Sequence, residues 1–108
     1  MKHTRTWMAT LLLGTLLALP AVTPAQVKAE VALRAAMETE TVKGDLKSAI
    51  EQYKKIAQGG DRAIAAKALV RMGECYQKLG DAESRTVYER VVREFADQAE
   101  SAATARTR

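Results

Sequence analysis

The chain has 108 residues, with 17 Lys or Arg against 13 Asp or Glu, one His and one Cys. A single Cys excludes an intrachain disulfide. A near-balanced charge without clustered cations gives no case for nucleic acid as a partner. The length bounds the fold to one small domain.

Residues 1–25 have the three-part layout of a secretory signal peptide. Lys2, His3 and Arg5 form a basic head. The apolar run "WMATLLLGTLLALPAV" follows, and "VTPAQ" places Thr23 and Ala25 at the two positions that signal peptidase reads. The apolar core of about 12–16 residues falls short of the ~20 needed to span a bilayer. Cleavage is predicted after Ala25, with release to the periplasm or outside the cell. Membrane contact is expected only through the signal peptide before cleavage. No Cys follows the apolar run, so no lipid anchor is expected.

Cleavage leaves 83 residues, with 15 basic and 13 acidic side chains, because Lys2 and Arg5 leave with the leader. The only His, the only Trp and both prolines leave too. A chain without His cannot build a Ser-His-Asp or Cys-His site, or a zinc site that uses His. The expectation is a non-enzyme with no cofactor and no metal.

The mature part is rich in Ala, Glu, Lys, Arg and Gln, a helix-forming composition. No stretch alternates long enough for a strand. The fold class expected is all-α. A first helix over 27–43 carries Val27, Val31, Leu33, Ala36 and Met37 at spacings of three and four. Gly44 breaks it. A second over 45–57 carries Leu46, Ala49, Ile50, Tyr53, Ile56 and Ala57 on one face, and Gly59-Gly60 break that. Asp61 is positioned to cap a third over 62–79, with Ala65, Ala68, Leu69, Met72, Cys75, Tyr76 and Leu79 inward. Gly80 ends it. A fourth over 82–95 points Val87, Tyr88, Val91, Val92 and Phe95 inward. Residues 97–108 form a short C-terminal helix or a frayed tail, with Asp97 and Glu100 spaced as a capping box. Acid-first pairs four apart, such as Glu30–Arg34, Glu51–Lys55 and Glu74–Lys78, fit solvated helix faces.

The helices repeat. Gly44-Asp45 and Gly80-Asp81 are 36 residues apart, as are Leu33 and Leu69, and Ala36 and Met72. Past the turn the offset is 35, pairing Tyr53 with Tyr88, Ile56 with Val91 and Ala57 with Val92. Paired helices at this period mark a helical array. The second copy offers Leu69, Met72, Gly73, Tyr76, Gly80-Asp81, Ser84, Tyr88 and Val91. The first offers Leu33, Ala36, Met37, Glu40, Gly44-Asp45, Ala49, Tyr53 and Ile56. These series resemble the tetratricopeptide repeat (TPR), in the form found in exported proteins of the bacterial envelope. Met37 departs from the family's small residue, Glu40 from its Tyr, and Val91 from its late small residue. The closing proline is absent from both copies.

The resemblance implies antiparallel helix-turn-helix hairpins stacked as a short TPR-like solenoid. Residues 26–96 would hold two units, about 27–60 and 61–96. It also implies a groove contacting a protein or peptide partner through Arg34, Glu38, Thr41, Lys67, Val70, Glu74 and Gln77. The function expected is an exported, non-enzymatic interaction module. The alternative is an N-terminal fragment of a longer secreted protein that packs against another domain. In the repeat reading Gly73 admits the partner helix, Tyr76 fills the space between helices, and Cys75 is a small apolar core residue. The valines and Phe95 of the fourth helix form a stripe in need of cover, which suggests a homodimer through that helix.

Overall fold

The computed structural model describes Gly14 and residues 21–108. The rest of the expected leader, 1–13 and 15–20, lies outside the described residues. Those described form five helices and no strand: α1 Pro24–Thr41, α2 Leu46–Ala57, α3 Arg62–Lys78, α4 Glu83–Glu94 and α5 Ala99–Thr107. None is long and apolar enough to cross a membrane.

Local chemistry sets the boundaries. Thr23 caps α1, its hydroxyl accepting from the Gln26 amide while the Gln26 side chain accepts from the Thr23 amide, and Pro24 follows at the first helical position. Asp45 and Asp61 cap α2 and α3 through the Ser48 and Ile64 amides. Gly44 and Gly80 take left-handed backbone, φ 65° and 68°. At Gly80 the amides of Gly80 and Asp81 reach back to the carbonyls of Gln77 and Tyr76, the two bonds of a Schellman end.

Short turns make α1/α2 and α3/α4 antiparallel hairpins. Helix α3 packs against all four others. It forms one row with α1 and α5, while α2 and α4 lie in a second row and do not touch each other. The core runs between the rows through Leu33, Ala36, Ala49, Ile50, Tyr53, Leu69, Met72, Cys75, Tyr88 and Val91, all buried. Gly73 is where the second hairpin closes. A Cβ there would sit 2.6 Å from Tyr88 Cε1 and 2.9 Å from Cδ1, so the tyrosine ring occupies the room that glycine leaves.

Three expectations need correction. Val27 and Val31 belong to the apolar spacing of the first helix, yet they are 48% and 59% exposed. The stripe of α1 that packs on the core instead passes through Ala29, Leu33, Ala36 and Glu40, which keep the same spacing on another face of the helix. Leu79, also placed inward, is 43% exposed, since it is the C-cap residue of α3 and turns out with the chain. The capping box at Asp97 does not form. Helix α5 begins after Gln98 with no side-chain cap, and Asp97 is taken by Arg62 instead. A bidentate charged pair outcompetes one bond to an amide.

The C-terminal segment is helical, and it covers the fourth-helix stripe. Ser101, Ala102 and Ala105 are buried where α5 packs on α3 and α4. Val87, Val91 and Phe95 are buried and Val92 is half-buried. Small side chains let α5 come close, so the argument that a second copy must cover this stripe loses its premise.

Candidate functional site

The row α1, α3, α5 bounds a cleft of about 370 Å³. Its apolar part is Leu33 and Met37 from α1 and Val70 from α3. Lys67, Arg71 and Glu74 of α3 and Glu100, Ser101 and Thr104 of α5 supply the polar part. Arg71 lies 3.6 Å from Glu40 and Glu74 lies 3.7 Å from Arg108. Lys67 and Glu100 make no ion pair among the described residues. The cleft therefore offers one free charge of each sign around an apolar floor.

The seven expected groove residues divide. Lys67, Val70 and Glu74 line this cleft. Gln77 lies one turn on, at the mouth of a second cleft between α4 and α5, where its Oε1 accepts from the Tyr88 hydroxyl at 3.0 Å. Arg34, Glu38 and Thr41 are exposed and line neither of these clefts. They continue the outward stripe that begins with Val27 and Val31, at the same three–four spacing. On α1 the wall of the cleft is Leu33 and Met37 instead.

Behind this wall is a buried polar cluster. The Glu40 side chain has no solvent exposure. Tyr53 donates its hydroxyl to Glu40 Oε1 at 2.7 Å, and Lys78 Nζ donates to Oε2 at 2.9 Å. Burial pushes the Glu40 carboxyl up, but hydrogen bonds from Lys78 and Tyr53 and the charges of Lys78 and Arg71 outweigh it. The group is held below the usual carboxylate value and stays ionised. Burial and the neighbouring Glu40 hold the Tyr53 hydroxyl protonated.

Cys75 is fully buried. Burial first, and then Glu40, push its thiol up to about 12. A thiol so far from ionisation is not a nucleophile. Among the described residues no group of three or more His, Cys, Asp or Glu side chains is placed to hold a metal ion.

Comparison with known proteins returns nothing: no family model, no curated protein and no solved structure matches the chain.

The part that α5 plays in bounding the cleft does not follow from two repeat units alone. The signal was present, since Asp97 follows Asp61 by 36 residues, the period already found. Carried on by that offset, Ala65, Ala66 and Leu69 correspond to Ser101, Ala102 and Ala105, all buried in α5. Helix α5 thus repeats the start of α3, with Ala105 in place of the bulkier Leu69.

Proposed function

We propose that the mature chain is an exported, non-enzymatic interaction module of TPR-like build that holds a peptide or protein segment against the row α1, α3, α5. The observation that carries this reading is the cleft across that row, with Leu33, Met37 and Val70 as floor and unpaired Lys67 and Glu100 at its edge. An apolar floor between charges of opposite sign suits a segment of mixed polarity. Helical arrays present such a surface along their first helices. A signal-peptide layout at the N-terminus supports a partner in the envelope or outside the cell.

The test is site-specific photocrosslinking in cells. A crosslinking side chain at Lys67 should capture one defined partner, while the same group at Lys47, exposed on α2 in the other row, should not. Equal capture at both positions would refute a groove on this row.

A further inference from the structure

A larger cleft, about 890 Å³ with Thr23 and Ala25 of the expected leader among its lining residues, lies at the other edge of α1, against the α2–α3 turn. Its walls are Ala29 and Ala32 of α1, Ile56 of α2 and Ile64 of α3. Gly59 and Gly60 form one side, and Lys28 and Lys55 stand at its rim.

The repeat supplies a template for what belongs here. At the junction of the second hairpin with α5, Phe95 is buried and the Arg62 guanidinium lies 4.7 Å above its ring. Arg62 also binds both Asp97 oxygens, at 2.6 and 3.1 Å, and the Glu94 carbonyl at 2.8 Å. Shifted back by 36, Arg62 and Asp97 become Gln26 and Asp61. Shifted by the post-turn offset of 35, Phe95 becomes Gly60. Gln26, Gly60 and Asp61 all line the large cleft. The junction filled by an aromatic ring in one place is open in the other, because glycine stands where phenylalanine would.

We infer that this cleft takes an aromatic side chain from an acidic segment of a partner protein. The ring would occupy the volume that Phe95 fills at the second junction, where Ala65, Ala68 and Val91 correspond to Ala29, Ala32 and Ile56, and Ile64 adds an apolar wall where the second junction has Glu100. The acidic flanks follow from the charges lining the cleft: Arg62 is paired with Asp97 and the one carboxylate, Asp61, caps the Ile64 amide, while Lys28 and Lys55 make no ion pair among the described residues. Cations beside an apolar slot favour a ring carried between carboxylates. The site stands apart from the groove of the α1, α3, α5 row and shares no lining residue with it.

The probe is a peptide of sequence Asp-Glu-Phe-Glu-Asp, blocked at both ends, added to isotope-labelled protein whose N-terminus is fixed by mass spectrometry. The expected result is movement of the Gly59 and Gly60 amide and the Ile56 and Ile64 methyl signals, with Lys67, Glu74 and Thr104 unmoved. The same peptide with Ala for Phe should bind at least tenfold more weakly. Gly60→Phe should plug the cleft from within and abolish those shifts. A Cβ at Gly60 meets nothing within 4 Å and the backbone there has no positive φ, so the ring has a way in. Lys28→Glu with Lys55→Glu changes only exposed residues and should weaken binding at least tenfold. Shifts confined to the groove would overturn this inference while leaving the groove reading intact. No shift at millimolar peptide, full binding by Gly60→Phe, or binding of decanoate without the peptide would also overturn it.

Discussion

Glu40→Leu puts an apolar side chain of similar size in its place and removes an acceptor that Tyr53 and Lys78 share and a charge that Arg71 faces. The magnitude follows from where each partner is left. Lys78 is half-exposed and Arg71 one-third exposed, so both can turn to water and lose little. Tyr53 has no exposure and no second acceptor, so its hydroxyl bears the cost of an unmade buried hydrogen bond, about 1–3 kcal/mol. Loss of the charged bonds adds to this, and relief of the buried carboxylate's own desolvation subtracts. Breaking a buried pair costs roughly 3–5 kcal/mol, and the partial exposure of both cations puts this case near the low end, about 3. The assay is a urea titration followed by helical circular dichroism. In a Tyr53→Phe background the same substitution should cost about 1–2 kcal/mol less, because no hydroxyl remains to be orphaned. A loss under about 0.5 kcal/mol, or no coupling between the two changes, would refute the view that Glu40 holds the first hairpin to α3.

The same cluster sets a pH dependence. The Glu40 carboxyl titrates lower in the folded chain than in the unfolded one, where about 4.3 is usual. Its contribution is therefore fully present above that unfolded value and is lost as pH falls through the lower folded value. The stability gap between the native chain and Glu40→Leu should be constant near neutrality and narrow below about pH 4.

Further outcomes follow from the packing. Gly73→Ala should destabilise by about 1–3 kcal/mol in the same titration, since the ring of Tyr88 cannot yield as a flexible chain end would. Gly80→Ala, at φ 68° with open space around it, should cost about 1–2 kcal/mol from backbone conformation alone. Cys75 should resist a thiol-specific reagent at pH 8 in the folded chain and react at once in denaturant; fast native labelling would contradict its burial.

The four long helices, both glycine turns and the tyrosine positions were legible because each rests on a local rule. Helix period, left-handed glycine and Asp caps act over a few residues and need no knowledge of the neighbours. The face of α1 was not legible in the same way. Val27 and Val31 keep the helical spacing, but so do Ala29, Leu33, Ala36 and Glu40, and which stripe is covered depends on where α2 and α3 pack. Glu40 carried the opposite disguise. A charged residue at a core position reads as solvated unless its partners are known, and they come from Tyr53, 13 residues away, and Lys78, 38 residues away. Among the acid-first pairs, Glu30–Arg34 and Glu51–Lys55 are exposed, whereas Glu74–Lys78 fails for a related reason. Glu74 turns to Arg108 and Lys78 to Glu40, so the four-apart spacing loses to contacts between helices.

The places where one unit departs from the next are also where the surface becomes particular. Glu40 stands where the second unit has Tyr76, and this substitution replaces an aromatic spacer with an ionic tie from α1 to α3. Gly60 stands where the second unit has Phe95, and an open slot results. Ala105 stands where α3 has Leu69, and the smaller side chain brings α5 close enough to bound the groove. In each case a repeat that stacked identical units would fill the space with the same apolar side chain and leave a uniform surface. Agreement with the period specifies the scaffold, while departures from it create a cavity, a charge or an edge. A residue that breaks the period at a buried or lining position is therefore a better place to test the proposed surfaces than one that keeps it. On that argument Gly60 and Met37, at the positions of Phe95 and Gly73, are the first to exchange for their counterparts. Met37→Gly should widen the groove and Gly60→Phe should close the slot, each altering one surface and leaving the other unchanged.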